Sequence, residues 1–83
     1  MKIILYTKTG CPWCAGVLKL FAENNIAYEE REVLANKVYF DELVKKSGQT
    51  KTPTLDIDGY IIADSDKEQV LEYLKSNNLI SNI

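Results

Sequence analysis

The 83-residue sequence predicts an α/β domain, a mixed four-stranded sheet flanked by three helices in the order β-α-β-α-β-β-α. Three observations carry that prediction. Short β-branched and aromatic runs alternate with longer stretches in which apolar residues return every three or four positions. Capping residues and turn formers fall at the junctions between them. The dipeptide Asp58-Gly59 separates two of the short runs, which makes those two a hairpin rather than another crossover.

The elements follow in order. Lys2–Thr7 is short, β-branched and aromatic, a buried strand that ends at Lys8-Thr9-Gly10. A helix follows from about Pro12 to Glu23, with Pro12 at a first helical position where its missing N–H costs nothing. Cys14, Val17, Leu18 and Phe21 form its inward face, and Asn24-Asn25 stops it. Ala27–Val33 is a second strand whose Glu29, Glu30, Arg31 and Glu32 suit a sheet edge, where charge discourages pairing with other chains. Asn36 caps a second helix over about Lys37–Lys46, with Phe40, Leu43 and Val44 inward, and Ser47-Gly48 ends it. Thr54–Ile57 and Tyr60–Ile62 are the hairpin strands. Ser65-Asp66-Lys67-Glu68 matches the Ser-x-x-Glu capping box, so a third helix starts at about Asp66 and buries Val70, Leu71 and Leu74. The first β-α-β unit gives parallel neighbours through a right-handed crossover, and helices cover both sheet faces.

Size and composition exclude several function classes. The chain reads as one domain, residues 1–83, with one modest core and no repeat, low-complexity tract or linker. A net charge of −2 argues against nucleic acid or an anionic membrane, which call for clustered basic residues. The longest pure apolar run, Ile3-Ile4-Leu5, is far too short for a membrane span or a signal segment, so the expected location is the cytoplasm. The expected state is a monomer.

Cys11-Pro12-Trp13-Cys14 carries the chemistry, and its two cysteines are the only ones in the chain. Only a thiolate attacks, and an unperturbed thiol near pKa ~8.5 is roughly 3% ionised at neutral pH. Cys11 falls at a helix N-cap, where the helix dipole contributes up to about 2 kcal/mol toward an anion. Lys8, three residues upstream, would lie about 6 Å away and add roughly 1–3 kcal/mol at an effective dielectric of ~20–40. Together they lower Cys11 enough to make it mostly thiolate, whereas neither alone would. Cys14, one turn on and facing inward, is raised by burial and becomes the resolving thiol.

Other readings of the pair are weaker. A structural disulfide would close too short a loop to remove much chain entropy, and a reducing compartment opposes it. An intrachain zinc site needs about four ligands, and two thiols with no histidine do not supply them. A chance pair of buried cysteines would leave Pro12 and the strand-to-helix context as coincidences. Redox exchange and a metal site shared between molecules remain.

From Tyr6-Thr7-Lys8 and the Cys-Pro-Trp-Cys motif through Ser47-Gly48-Gln49 and Pro53 to the last helix, the chain resembles the glutaredoxins of the thioredoxin-fold superfamily. Their usual motif is Cys-Pro-Tyr-Cys, and Trp13 replaces the tyrosine with another aromatic. The resemblance implies a thioredoxin-like fold, a nucleophilic Cys11, a resolving Cys14 and a cis Thr52-Pro53 bond. That proline would expose the backbone of Thr52 beside Cys11, where a peptide-like substrate can pair with it as an added strand. It also implies glutathione contacts at Lys8, Trp13, Gln49, Thr52, Pro53, Ser65 and Asp66, with free N–H groups at the last helix start for one carboxylate.

Three positions depart from the family pattern. Lys51-Thr52-Pro53 stands where Thr-Val-Pro is usual, Ala63-Asp64 where Gly-Gly is usual, and Asp56 at a normally apolar position of the third strand. An aspartate within about 5 Å of a ligand carboxylate would cost on the order of 1–3 kcal/mol. Asp64 therefore bears on glutathione affinity and not on the fold.

The function expected is a glutaredoxin-like thiol-disulfide oxidoreductase that reduces protein or glutathione mixed disulfides. Glutathione is its co-substrate, with no permanently bound cofactor and no metal. The alternative within the same chemistry is a thioredoxin-like electron donor, of the kind that serves ribonucleotide reductase, restored by a flavoprotein reductase. From other classes come a glutathione-dependent iron–sulfur cluster carrier, which Pro12 in the motif counts against, and a redox-inert peptide adaptor in which both thiols would be superfluous.

Overall fold

The computed structural model describes residues 2–65 and 67–77, the side chain of Lys67 excepted. Its elements are β1 (Ile3–Thr7), α1 (Pro12–Glu23), β2 (Glu29–Glu32), α2 (Lys37–Ser47), β3 (Thr54–Ile57), β4 (Tyr60–Ile62) and α3 (Lys67–Ser76). The order is the one expected. The second strand is shorter than Ala27–Val33, because only four of its residues pair with β1.

The sheet runs β2-β1-β3-β4. β2 lies parallel to β1, β3 antiparallel to β1, and β4 antiparallel to β3. β2 is thus an edge strand, as its charges suggested. Asp58 and Gly59 both have positive φ, 50° and 93°, the signature of the type I′ turn that matches strand twist in a two-residue hairpin.

Strand alternation splits the interior in two. Ile3 and Leu5 of β1 face α1 and α3, where they meet Val17, Phe21, Leu55 and Leu74 in the larger core. Ile4 and Tyr6 face α2 and meet Val33 and Leu43, with Tyr39 and Phe40 packed alongside. On α1, Leu20 joins the expected Cys14, Val17 and Phe21 in full burial, while Leu18 is half-buried against the same core. Val70 and Leu74 of α3 are fully buried and Leu71 partly so.

One inward assignment is overturned. Val44 remains 37% exposed. Lys46 of α2 reaches over the sheet instead, donating to Tyr6 Oη and to Asp56 Oδ2, each at 2.8 Å. The helix face that packs is centred on Leu43 and turned toward Tyr39 and Lys46, which carries Val44 to the rim. The same contact explains Asp56: it interrupts an apolar strand because Lys46 and the Gly59 N–H satisfy its carboxylate. Among the described residues no helix is long and apolar enough to cross a membrane.

Candidate functional site

Register brings the site together. Tyr6 of β1 pairs with Thr54 of β3, Thr7 with Glu32 of β2, and Leu55 with Ile62 of β4. The segments that leave β1, β2 and β4 and the one that enters β3 therefore emerge at one end of the sheet. They carry Lys8–Cys11, Val33–Ala35, Ala63–Ser65 and Lys51–Pro53, residues spread over most of the sequence.

The turn before the motif is built for a sharp change of direction. The Cys11 N–H donates to the Lys8 carbonyl at 3.2 Å and Gly10 has φ +83°, the arrangement of a type II turn. A Cβ at Gly10 would meet nothing within 4 Å, so the positive φ rather than crowding selects glycine. Cys11 then stands at the N-cap in extended conformation with Pro12 at the start of α1. A thiol occupies the place where a serine or aspartate oxygen usually accepts the first free N–H groups of a helix.

The Cys14 N–H donates to Cys11 Sγ at 3.2 Å and the Thr52 hydroxyl donates to it at 3.7 Å. Burial acts to raise the Cys11 pKa. The Cys14 side chain, the Cys14 and Trp13 N–H groups and the Thr52 hydroxyl outweigh it, and the net shift is downward. Cys14 is 2% exposed, and burial together with the neighbouring Cys11 raises its pKa. The two thiols are unequal in the direction the sequence suggested. The cause differs in part, because hydrogen-bond donors lead and the Lys8 ammonium is not among the largest influences on Cys11.

Both thiols are free. Beneath the turn lies a cavity of about 220 Å3 lined by Lys8, Gly10, Cys11, Cys14, Glu30 and Glu32, among others. Both of its carboxylates are engaged, one with the end of β1 and one with the loops. Glu30 accepts from the Thr7 hydroxyl at 2.8 Å. Glu32 accepts from the Thr9 N–H at 2.6 Å and the Thr9 hydroxyl at 2.8 Å through one oxygen, and from the Ala35 N–H at 2.7 Å through the other. These donors hold the Glu32 carboxyl down to about 2. Glu32 ties the cysteine turn to the segment after β2. Reading the sequence as an edge strand missed this role, and alternation was the available signal: Glu30 and Glu32 share a side of the strand, the one that faces α1.

The residues proposed as glutathione contacts have different fates. Trp13 is 65% exposed beside the nucleophile, open to a ligand. Thr52 and Pro53 are buried next to Cys11 and the bond between them is cis. Lys8 is half-buried at the cavity. Gln49 is engaged within its own loop: its amide nitrogen donates to the Ser47 and Thr54 hydroxyls, and its oxygen accepts from the Lys51 N–H. It shapes the approach to Pro53 rather than standing free in a groove. Ser65 is buried, and both its N–H and its hydroxyl donate to the Pro53 carbonyl, at 2.8 and 2.9 Å. Asp66 lies outside the described residues.

At the Ala63-Asp64 departure, Asp64 takes φ +50°, which aspartate tolerates better than most side chains and glycine adopts freely. Its carboxylate lies 3.7 Å from Lys51 Nζ, so two departures from the family pattern face each other across the proline loop.

Comparison with known proteins agrees with this geometry. The family model described as Glutaredoxin matches residues 3–62. Glutaredoxin 1 of Rickettsia conorii is 37% identical, over 90% of this chain and 81% of the relative. Among solved structures, the thioredoxin-like protein BC3987 superposes with a TM-score of 0.79 at 34% identity, over 88% of this chain and 99% of that one. A buckwheat glutaredoxin–glutathione complex superposes with a TM-score of 0.71 at 25% identity, over 93% and 71%.

Proposed function

The chain belongs to the glutaredoxin family of thiol oxidoreductases, and on that premise we propose that it reduces protein or glutathione mixed disulfides through Cys11, with glutathione restoring the dithiol. The observation that carries the reading is the environment of one sulfur. Cys11 Sγ accepts from a helix-terminal N–H and a hydroxyl, and the buried Cys14 lies one turn behind it.

The Cys11 thiolate attacks one sulfur of the substrate disulfide, and the bond to the other sulfur breaks with its electron pair leaving as thiolate. The resulting mixed disulfide is resolved by Cys14, which closes the internal disulfide, or by a glutathione thiolate, which returns Cys11 directly. The low Cys11 pKa makes it both the better-populated nucleophile and the better leaving group. The step needs no metal or nucleotide. Trp13 offers an apolar wall for a tripeptide or peptide, and the exposed Lys51 ammonium, 3.7 Å from Asp64, offers a carboxylate a cation. The Lys51–Asp64 pair partly offsets the negative charge that a glutathione carboxylate would otherwise meet. The working site is a reducing cytoplasm, where such a pair cycles.

A second reading keeps the same thiols and changes the reductant. Likeness to a thioredoxin-like protein across 99% of that protein's chain, and a carboxylate at Asp64, favour a flavoprotein reductase in place of glutathione. Oxidised protein is offered glutathione with glutathione reductase, or thioredoxin reductase with NADPH. Rapid reduction by the first supports our reading, and a strong preference for the second overturns it.

Cys14→Ser separates the two routes. It is expected to retain glutathione-linked reduction of mixed disulfides and to lose protein-disulfide reduction on the order of 100-fold, because the resolving step is no longer intramolecular. Equal losses in both assays would place Cys14 in the glutathione route as well.

A further inference from the structure

The turn that presents Cys11 begins where strand pairing stops. The β1–β2 ladder closes with the Val33 N–H donating to the Thr7 carbonyl at 2.9 Å, and Lys8, Thr9 and Gly10 lie beyond it. Thr9 is exposed, and Gly10, at φ +83°, belongs to the residue type with the greatest backbone freedom. Left to itself such a turn would sample other conformers, and each would carry Cys11 off the N-cap.

Glu32 carries the pairing past the end of the ladder. It stands opposite Thr7 in the register, and its carboxylate reaches on to the turn. One oxygen accepts from the Thr9 N–H at 2.6 Å and the Thr9 hydroxyl at 2.8 Å, and the other accepts from the Ala35 N–H at 2.7 Å. Ala35 precedes Asn36, the cap of α2, so the bridge ties the turn to the start of a helix. Bonds to an ionised acceptor are the stronger kind. Thr9 and Ala35 are exposed, so water competes and the bridge adds little to overall stability. What it fixes is where the turn stands.

We propose that Glu32 is a positioning residue for disulfide exchange: by bridging Thr9 and Ala35 it holds the turn so that Cys11 Sγ meets a substrate disulfide in line with the bond that breaks. The proposal rests on the nucleophilic role of Cys11 and goes beyond it in assigning a side chain that acts through the turn.

Two influences of Glu32 oppose each other, which makes the assignment decidable. Glu32 lines the same cavity as both thiols, and as a bare negative charge it disfavours the Cys11 thiolate. Removing charge alone would therefore lower the Cys11 midpoint and speed reaction at neutral pH. Removing a clamp slows exchange even where Cys11 is fully ionised. Exchange requires an aligned approach, whereas alkylation by a small reagent accepts attack from any open side.

The test uses two probes at a pH about one unit above the Cys11 midpoint, which thiolate absorbance sets for each variant. One is iodoacetamide. The other is a cysteine peptide in disulfide linkage with nitrothiobenzoate. The Cys11 thiolate bonds to the peptide sulfur, and the electron pair of the broken bond leaves on the nitrothiobenzoate thiolate. Glu32→Gln keeps one oxygen for one arm of the bridge and turns an NH2 toward the donor of the other. It is expected to slow nitrothiobenzoate release about three- to tenfold, with alkylation within about twofold of wild type. Thr9→Val deletes one donor and leaves the charge, and should slow release about two- to threefold. Faster release in Glu32→Gln overturns the proposal in favour of bare charge. Unchanged release, whether or not denaturant unfolding shows a loss of stability, overturns it too, as do equal losses with both probes. If Glu32→Gln does not fold, Thr9→Val decides by the same two rates. Neither rate needs glutathione or a reductase, so failure of this proposal is distinguishable from failure of the functional reading, which would show as a wild type that exchanges with no disulfide.

Discussion

The two faces of the sheet are held by different physics. Under α1 and α3 the main cluster is apolar, from Ile3 and Leu5 to Val70 and Leu74, and its polar contacts, Thr7 to Glu30 among them, are gathered at the end beside the cysteine turn. Under α2 the apolar cluster is small, and a chain of polar contacts continues it. Tyr6 Oη donates to Glu42 and accepts from Lys46, Lys46 pairs with Asp56, and Arg31 pairs with Glu42 and Glu29. The Arg31 guanidinium also lies over the Tyr39 ring at 5.4 Å. The dry face supplies most of the cohesion and carries the helix that presents Cys11. The polar face fixes which way α2 is turned, since a charged partner tolerates less rotation than a methyl group does. A small domain can thus spend its limited apolar content where the nucleophile is anchored.

Substitutions on the two faces test this contrast, the largest effect first. Phe21→Ala on the dry face should cost about 3–5 kcal/mol, a large part of the stability of a domain this size. Denaturant unfolding would show it, and a loss below about 1 kcal/mol would remove the distinction. On the polar face, Lys46→Met leaves the Asp56 carboxylate, 12% exposed, without its cation and with only the Gly59 N–H to satisfy it. The expected loss is about 2 kcal/mol, less than for a fully buried pair because Lys46 is itself 30% exposed. Adding Asp56→Leu should recover part of it, since the uncompensated charge is gone but the Gly59 N–H loses its acceptor; a double variant no better than the single one would show that the charge pair was not the cause.

The smallest effect is on pH dependence. Burial raises the Asp56 and Glu42 carboxyls, but Lys46 acting on the first, and Tyr6 and Arg31 on the second, hold both below the ordinary carboxylate range. A depressed folded value adds stability that is present above the unfolded value and is lost as pH falls through the folded one. The acid limb of the wild type should therefore begin near the ordinary carboxylate range and continue below it. In the Lys46→Met, Asp56→Leu variant it should be shallower. Identical acid limbs would assign the acid sensitivity elsewhere, with Glu32 the next group to change.

What was legible in the residues was local. Asn36 caps α2 by accepting from the Val38 and Tyr39 N–H groups, as its position suggested, and Asp58-Gly59 forms its turn because two positive-φ residues can do little else. Cys11 and Cys14 were assigned their inequality from a helix start, the Lys8 ammonium and a helical period; the direction holds, but donors from Cys14, Thr52 and Trp13 take the part given to Lys8. The contacts that escaped join distant segments: Glu32 to Thr9, Lys46 to Asp56, Lys51 to Asp64, and Ser65 to Pro53. Glu32, Lys46, Lys51 and Ser65 each had an acceptable solvent-exposed or capping role when read alone, and Asp56 stood out in its strand without its partner being evident. Gln49 is the same case at short range, since nothing in its neighbours says whether its amide turns inward or out.

The sequence by itself determined the order of the elements, the edge position of β2 and the presence of two thiols at the start of a helix, because propensity, capping and periodicity act within a few residues. Tertiary structure alone decided the rotation of α2, the grip of Glu32 on the cysteine turn, and the approach of the Thr52 hydroxyl to Cys11. Those depend on register across four strands, and register is a property of paired segments that no single segment contains.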